Sequence, residues 1–328
     1  GFHPTAGVLL MKAIWLDDEV RLRTDLPAPS PATGEALVRV RLAGVCSTDL
    51  ALLDGYYPFR GVLGHEFVGE IAAAPDAPER IGARVVGTIN LSCGHCSECR
   101  ACRPNHCLRR AVLGIKQHDG AFAEFLCLPL GNLHRVPETV PDTAAVFTEP
   151  LAAALQVLEQ AHIKPSERVL VVGAGRLGQL IARVLALSGA ELDVVARHAH
   201  QRQRLDGIAT RCLGESEVAA GGYDLVVEAS GAPGGFALAR QALRPRGTLC
   251  LKSTYRGEVA VDLSSLVVDE IRVLGSRCGP FPAALRLLER QQVDPTPLID
   301  ARLPLSEGVQ ALQRAAEPGV LKVLIDCR

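Results

Sequence analysis

Residues 168–178 read Arg-Val-Leu-Val-Val-Gly-Ala-Gly-Arg-Leu-Gly, so a β-branched apolar run passes directly into a glycine-rich turn. Residues 179–187 follow with an apolar helical pattern. Strand, glycines and helix in this order hold a pyrophosphate against a helix N-terminus. The stretch therefore predicts the dinucleotide-binding turn of a doubly wound parallel sheet.

Each glycine of this turn has a predicted task. Gly173 permits the tight turn, Gly175 lets the backbone approach the pyrophosphate, and Gly178 allows the helix to pack on the strand. Arg176 and Leu177, between the last two glycines, are counted with them as cofactor contacts. A merely structural turn is the alternative, but the flanking strand and helix favour the cofactor site.

The sequence pattern changes at about Glu149. From Met11 to Phe147, short β-branched runs are interrupted by glycine and proline, which predicts an all-β region. Beyond Glu149, apolar runs alternate with helical stretches, which predicts parallel strands joined by helices. The later runs and helices are Pro150–Ala161, Leu192–Ala196, Leu225–Glu228, Thr248–Lys252, Phe281–Arg290, Ser306–Ala316 and Val320–Asp326.

The composition is that of a globular protein with two domains. The 328 residues are 48% hydrophobic, and the chain contains 35 basic and 36 acidic side chains. This balance provides no bulk attraction to nucleic acid or to an anionic membrane, so a small-molecule partner is expected. Neither a membrane-spanning run nor a leader is recognised, and a cytoplasmic location is expected.

The end of the second predicted strand bears on the choice of cofactor. An acid there hydrogen-bonds the ribose 2′-hydroxyl of NAD, whereas a cation accommodates the 2′-phosphate of NADP. Asp193 falls too early, inside the strand, and the expected acidic position holds Ala196 or Arg197. NADP is therefore favoured over NAD, unless the basic residues here form only a solvated face. The basic residues are Arg197, His198, Arg202 and Arg204.

Five of the eleven cysteines lie between Cys93 and Cys107, which indicates a metal site rather than disulfides. Four thiols in this segment, separated by two, two and seven residues, can wrap a tetrahedral zinc ion and leave no open position. Such an ion would hold residues 93–107, here called the cysteine lobe, together. The predicted ligands are Cys93, Cys96, Cys99 and Cys107, with Cys102, His95 and His106 as alternatives.

A second set of metal-ligand types is dispersed along the chain: Cys46, the adjacent His65 and Glu66, and Glu149. Sulfur, imidazole and carboxylate donors suit zinc, and three protein ligands leave one position for water or substrate. There the ion would polarise a carbonyl or lower the pKa of an alcohol. Taken singly, the same residues could be a small buried thiol, a core histidine and ordinary acids.

Together these segments resemble the zinc-containing medium-chain dehydrogenase/reductase superfamily, which includes alcohol, sorbitol and threonine dehydrogenases. The resemblance covers nearly the whole chain from Met11 and rests on GVCSTD, GHEFVGE, the cysteine lobe, EPLA and GAGRLG. It implies an α/β fold with a GroES-like, β-rich catalytic domain in residues 1–149 and a Rossmann domain in residues 150–279. Residues 280–328 would complete the catalytic domain, and residues 1–10 would be a tag or an upstream extension.

The resemblance also implies roles for the dispersed residues. Cys46 and His65 fall on zinc ligands, and Glu66 falls on the adjacent acid that ligates the metal or exchanges with water. Glu149 stands where alcohol dehydrogenases have a cysteine ligand. A glutamate at this position instead resembles the sorbitol and threonine dehydrogenase branch, in which this acid lies at or near the metal. Thr48 matches the hydroxyl that relays the proton of the alcohol. Whether Glu66 or Glu149 completes the zinc site stays open.

Further cofactor contacts are implied near the nicotinamide and the phosphates. Lys322 resembles a basic residue that contacts the cofactor phosphates, with an exposed strand-edge lysine as the alternative. Two departures stand out: Cys102 replaces a glycine of many relatives, and the strand-end acid of NAD users is missing. Two segments resemble the loops that line the nicotinamide in this family. Their residues are Ala229, Ser230, Gly231, Gly275 and Ser276.

The function expected from these features is a zinc-dependent hydride transfer between NAD(P)(H) and a small alcohol, polyol, aldehyde or ketone. The resemblance implies a homodimer or homotetramer formed through Rossmann-domain edges. A zinc-free quinone or enoyl reductase would lack both metal-ligand sets, and a thiol-rich metal store would need no Rossmann segment. A catalytically idle NADPH-binding protein or scaffold remains the alternative. The substrate stays open, since Tyr56, Tyr57 and Phe59 fit either a pocket or the core.

Overall fold

The computed structural model describes residues 9–254 and 258–328, so residues 1–8 of the expected tag or extension lie outside it. The strands are β1 Leu10–Leu16, β2 Val20–Pro27, β3 Glu35–Gly44, β4 Gly61–Val62, β5 Glu66–Ala73, β6 Arg84–Gly87, β7 Asn90–Leu91, β8 Ala111–Val112, β9 Phe125–Pro129, β10 Leu133–Arg135, β11 Arg168–Val172, β12 Glu191–Val195, β13 Arg211–Leu213, β14 Tyr223–Glu228, β15 Leu243–Leu251, β16 Arg272–Gly275, β17 Ile299–Pro304 and β18 Lys322–Asp326. The α-helices are α1 Ser47–Leu53, α2 Ser97–Arg100, α3 Asp142–Ala145, α4 Thr148–Gln160, α5 Arg176–Ala186, α6 Ala199–Gln203, α7 Pro233–Ala242, α8 Leu263–Val268, α9 Phe281–Glu289 and α10 Gly308–Ala316.

The chain divides into two compact units. The first contains the residues up to Glu149 together with Ile299–Arg328, and the second contains Pro150–Leu298. The resemblance implies a second boundary at residue 280, whereas α9 lies in the second unit. Packing accounts for this difference, because a Cβ on Gly279 would lie 1.9 Å from the Ala152 carbonyl oxygen on α4. The segment before α9 is thus held against a helix of the second unit.

The second unit contains a six-stranded parallel sheet. Its spatial order is β13-β12-β11-β14-β15-β16, which is the order 3-2-1-4-5-6 of a Rossmann fold and confirms the predicted fold class. Residues Val169–Val172 of β11 are buried, as expected for a central strand covered on both faces. The strand order reverses between β11 and β14, so the ligand crevice of such a sheet is expected beyond their carboxyl ends.

The first unit is built mainly from antiparallel strands. Its larger sheet follows the path β10-β6-β5-β3-β18-β17, with β9 also paired to β3. Along β3, the alternate residues Ala36, Val38, Val40 and Leu42 are buried, which is the pattern of a strand with one face in the core. The register pairs Gly44 with both Glu66 of β5 and Leu324 of β18, so three strands meet where β3 ends.

Short helices interrupt the part of the chain that the sequence analysis predicted to be all-β. Helices α1, α2 and α3 contain seven, four and four residues, so none of them is long enough to display a helical periodicity in the sequence. The all-β prediction was therefore wrong at these segments, although the strands between them are present. Among the described residues, no helix is both long and apolar enough to cross a bilayer.

Candidate active site

Three side chains of the first unit converge beyond the end of β3. Cys46 follows this strand, whereas His65 and Glu66 lie at the start of β5. The pairing of Gly44 with Glu66 brings the two segments together. One ligand atom from each of Cys46, His65 and Glu66 lies within 4.8 Å of the other two. The sequence placed these residues in one site, and the fold brings them within reach of a single ion.

Asp49 orients two members of this group. It is fully buried in the first turn of α1, where its Oδ2 accepts the backbone N–H of Cys46 at 2.8 Å. Its Oδ1 lies 3.1 Å from Nδ1 of His65, which leaves the other ring nitrogen for a ligand. Burial alone would lower the pKa of His65, but the charges of Asp49 and Cys46 hold it well above its usual value.

Glu66 shares its carboxylate between a buried cation and the group of three. Its Oε2 accepts a hydrogen bond from Nζ of Lys322 at 2.5 Å, and the same ammonium group donates to the carbonyl oxygen of Val45. Lys322 is only 3% exposed, so the alternative of an exposed strand-edge lysine is wrong. A Cβ on Gly44 would lie 2.6 Å from Oε2, so this glycine leaves room for the carboxylate.

The other oxygen of this carboxylate provides the test for a metal. Oε1 of Glu66 is buried and has no hydrogen-bond partner in the part of the chain that the structure describes. Burying an unpaired carboxylate oxygen costs free energy, and a cation would remove that cost. A thiol, an imidazole and a carboxylate oxygen form a donor set that zinc accepts. The residues present therefore fit a zinc ion.

Two further predicted site residues lie on helices: Thr48 on α1 and Glu149 on α4. Glu149 is half-buried in the first turn of α4, and its carboxylate is not part of the group of three. Thr48 is the second residue of α1 and is also half-buried. The arrangement thus favours Glu66 as the third ligand, while the roles of Glu149 and Thr48 stay predictions.

The cysteine lobe brings its four predicted ligands together. One sulfur from each of them lies within 4.8 Å of the others, and Sγ of Cys96 is 3.5 Å from Sγ of Cys99. Backbone N–H groups of Cys99 and Leu108 lower the pKa of Cys96 to about 6, whereas desolvation raises that of Cys99 to about 11. Cys102 is exposed and is not in the group. The four thiols fit a closed zinc site. The grouped ligands are Cys93, Cys96, Cys99 and Cys107.

The glycine turn of the second unit has the geometry of a phosphate cradle. Gly173 adopts φ +107°, and a Cβ there would lie 2.7 Å from the Cα of Ser230. A Cβ on Gly178 would lie 1.9 Å from the carbonyl oxygen of Gly173. Gly175, directly before α5, would meet no atom within 4 Å. Two glycines are thus required by packing, and the third keeps open the side from which a pyrophosphate can approach.

Two further polar residues lie at the carboxyl ends of β14 and β15, and neither was predicted as a site residue from the sequence. Buried Glu228, at the end of β14, accepts the backbone N–H and the hydroxyl of Ser230 through Oε1. Lys252, after β15, donates to Ser276 Oγ at 3.1 Å and to the carbonyl oxygens of Ala153 and Arg277. Both residues fix loops at the carboxyl edge of the sheet. Their only signal in the sequence is a charged residue at the end of an apolar strand. These loops contain Ala229, Ser230, Gly231, Gly275 and Ser276.

The basic segment after β12 lies at the same edge. Arg197 is exposed and pairs with Glu215 at 2.7 Å, and Nε of Arg202 donates to the carbonyl oxygen of Ala196. His198 precedes α6 as its N-cap residue. The buried side chain of Asp193 lies inside the strand, as the sequence predicted, where it accepts from Arg211 and Tyr223. No acid therefore occupies the strand-end position among the described residues. The further basic residue of this segment is Arg204.

Comparison with known proteins shows the same architecture. The family model described as the alcohol dehydrogenase GroES-like domain matches residues 32–138. The L-threonine 3-dehydrogenase of Saccharopolyspora erythraea is 30% identical over 332 residues, which cover 92% of this chain and 94% of the relative.

Two solved structures resemble the whole chain. A putative zinc-binding dehydrogenase from Sinorhizobium meliloti 1021, bound to NADP, is 30% identical with a TM-score of 0.88 and covers 97% of this chain and 99% of its own. The short chain alcohol dehydrogenase rspB from Escherichia coli CFT073, complexed with NADH, is 27% identical with a TM-score of 0.89 and covers 98% and 100%. Both dinucleotides thus occur among structures similar to this one.

Proposed function

The chain belongs to the zinc-containing medium-chain dehydrogenase/reductase superfamily, and from this premise we propose that Cys46, His65 and Glu66 hold a catalytic zinc ion. It is an oxidoreductase of the alcohol dehydrogenase type. One observation carries the zinc proposal: a thiol and an imidazole converge with a buried carboxylate oxygen that lacks a hydrogen-bond partner in the described chain. The relatives reported above are named as dehydrogenases, and none of them favours the idle NADPH-binding alternative.

The proposed chemistry assigns a task to each polar side chain of the site. When bound, zinc supplies Lewis acidity toward an alcohol or carbonyl oxygen, and the dinucleotide supplies or accepts the hydride. Asp49 holds the His65 ring in one orientation, and Lys322 compensates the charge of Glu66. The Thr48 hydroxyl would hydrogen-bond the substrate oxygen and relay its proton outward. Glu149 would serve as the second acid near the metal.

The proposed cofactor is NADP rather than NAD. The strand-end position that binds the ribose of NAD offers no acid, and Arg197, His198 and Arg202 follow it. The pair between Arg197 and Glu215 is exposed, and such pairs are worth no more than about 1 kcal/mol, so a 2′-phosphate can replace Glu215. Lys322 would reach the cofactor phosphates only by sharing its buried ammonium group with Glu66, and this contact stays a prediction.

The remaining parts of the proposal concern the lobe and the assembly. The cysteine lobe would hold a second zinc ion through its four thiolates, which closes the site to substrate. The protein would act on a small-molecule alcohol or carbonyl compound. We also propose that it forms a homodimer or homotetramer and that it functions in the cytoplasm.

Metal analysis of a ligand variant tests the central assignment. We expect about two zinc ions per chain in the wild type and about one in Cys46→Ser, because only the catalytic group loses a ligand. Elemental analysis measures this change, fluorescence titration with NADPH and NADH checks the dinucleotide site, and turnover is assayed against a panel of alcohols. Cys46→Ser should bind NADPH like the wild type but lose turnover.

Cys212→Ser is the matched control, since Cys212 is a half-buried cysteine of the second unit outside both metal groups. It should retain both zinc ions and full turnover. A Cys46→Ser variant that still turned over substrate would contradict the assignment of the catalytic zinc. Equal affinity for NADH and NADPH would contradict only the proposed choice of cofactor.

A further inference from the structure

A pocket of about 280 Å³ in the first unit is lined by four arginines, outside the site described above. Arg41 lies on β3, Arg84 on β6 and Arg302 on β17, and Arg328 follows β18. Asp142, at the start of α3, is the acid that lines the same pocket. We call these residues the arginine pocket. Such a density of guanidinium groups around a concavity is typical of sites that bind oxyanions.

Two carboxylate side chains lie among these four arginines. Asp142 pairs with Arg41 at 3.1 Å and with Arg84 at 2.9 Å. Asp326 pairs in the same way with Arg302 and Arg328, and these arginines, Arg328 first, hold the pKa of Asp326 well below its usual value. Each acid is thus shared between two arginines, so the side chains at the pocket carry an excess of positive charge.

Two of the arginines keep donors for a ligand. Arg41 contacts Asp142 through Nε, and Arg302 contacts Asp326 through one terminal nitrogen. Neither guanidinium makes another contact in the described chain, although each carries five N–H donors. Arg84 differs, since it also donates to the carbonyl oxygens of Pro137 and Val140 and thereby fixes the wall of the pocket. Arg84 is therefore held by several acceptors, while Arg41 and Arg302 keep N–H donors that no group of the described chain accepts.

The arginine pocket is distinct from the proposed zinc site. Leu42, which lines the pocket, pairs with Asp326 of β18, whereas Lys322, the partner of Glu66, lies four residues earlier on the same strand. At about 3.3 Å per residue, this separation is roughly 13 Å along the strand. A ligand in the pocket would therefore not touch the reacting groups.

We propose that the arginine pocket binds a doubly charged phosphate group, either inorganic phosphate or the phosphate monoester of a small metabolite. The excess of guanidinium over carboxylate side chains attracts such an anion, and planar guanidinium groups bind its oxygens in pairs. The proposal is independent of the oxidoreductase activity, since it uses none of the residues assigned to zinc, substrate or dinucleotide.

Calorimetric titration of the zinc-loaded protein tests the proposal, with inorganic phosphate, glycerol phosphate and succinate as the three probes. The titrations are run at low salt and with saturating NADPH, so that a phosphate cannot occupy the dinucleotide site. We expect saturable binding of phosphate or glycerol phosphate, and binding about tenfold weaker in Arg302→Gln, because one charged hydrogen-bonding partner is lost. Tighter binding of the glycerol ester would identify a metabolite as the source, and tighter binding of inorganic phosphate the free ion.

The matched control is Arg314→Gln, since Arg314 is an arginine of similar exposure that also pairs with one acid, Glu317. It should bind the probes like the wild type. Arg41→Gln provides a second test, and it replaces Arg302→Gln if that variant fails to fold. The proposal is overturned if neither phosphate compound binds, if succinate alone binds, or if an arginine-pocket variant binds phosphate as tightly as the control.

Discussion

At the scale of single residues, the buried pair of Glu66 and Lys322 determines the charge balance of the proposed zinc site. Oε2 of Glu66 is held by the ammonium group, and Oε1 is left for the metal. Without Lys322, the carboxylate of Glu66 would be buried next to the thiol of Cys46 without its cationic partner. A buried charge that has lost its partner is strongly destabilising.

We therefore expect Lys322→Met to lower the free energy of unfolding of the zinc-free protein by about 3–5 kcal/mol. Urea unfolding followed by circular dichroism measures this change, and Lys12→Met serves as the control because Lys12 is exposed. The double variant Glu66→Gln/Lys322→Met should recover part of the loss, since the unpaired charge is removed. A double variant no more stable than Lys322→Met would show that lost packing, rather than the charge, is responsible.

The proposed ligands could be predicted from the sequence, whereas the residues that hold them could not. Cys46, His65 and Glu66 are chemically conspicuous, and their spacing resembles a known pattern. Asp49 reads as an ordinary acid in the first turn of a helix, although its carboxylate contacts both Cys46 and His65. Lys322 is 256 residues away from Glu66, and only the pairing of three strands brings them together.

At the scale of elements, the turn between β11 and α5 offers a pair of glycines with different constraints. A Cβ on Gly178 would overlap the carbonyl oxygen of Gly173, so the helix would have to shift. A Cβ on Gly175 would meet no protein atom, and its φ of −75° suits alanine. The first glycine is thus required by the fold, and the second is required only by a ligand that approaches the backbone.

We expect Gly178→Ala to destabilise the protein by about 1–3 kcal/mol, as overpacking does. Gly175→Ala should cost less than about 1 kcal/mol and yet weaken NADPH binding by at least about tenfold, since one lost close contact of about 1.4 kcal/mol has that effect. Thermal unfolding and NADPH fluorescence titration separate the two effects. Unchanged NADPH affinity in Gly175→Ala would contradict the proposed approach of the pyrophosphate.

The elements of the second unit were more predictable than those of the first. Parallel strands buried on both faces appear as apolar runs, so β11, β12 and β14 were recognised to within two residues at each end. β15 was not, because its first half contains Arg244, Pro245 and Gly247, which interrupt the apolar pattern. The unit to which α9 belongs depends on the contact of Gly279 with α4, and no periodicity in the sequence reports such a contact.

At the scale of the whole molecule, the fold class and the reaction type followed from the sequence because several independent segments agreed. The glycine turn predicted the parallel sheet, the two metal-ligand sets predicted the metal chemistry, and the alternation beyond Glu149 predicted the second unit. The arginine pocket could not be predicted from the sequence, because its four arginines are separated by up to 287 residues. They are Arg41, Arg84, Arg302 and Arg328. Single arginines in a sequence look like surface charges.

An exposed apolar surface of the second unit bears on the proposed association of this chain with a second copy. Leu263, Val267 and Val268 of α8 are 68%, 75% and 78% exposed, and Val273 is 44% exposed on β16, the edge strand of the sheet. Such a cluster next to a strand edge exceeds the scattered apolar residues of a typical monomer surface. This surface supports the proposal of a homo-oligomer formed through the edge of the sheet.

We expect Val267→Glu/Val268→Glu to shift the assembly toward monomers, because two charges would be buried without partners in an apolar interface. A dimer that buries this surface of both copies would bury four such charges. At a penalty of about 1.4 kcal/mol for each charge, its dissociation constant would rise about ten-thousandfold. Sedimentation velocity over a concentration series measures the change. Leu108→Glu is the control, since Leu108 is 72% exposed but lies in the first unit beside the cysteine lobe. If the α8 variant assembled like this control, the contact between copies would have to lie on another face.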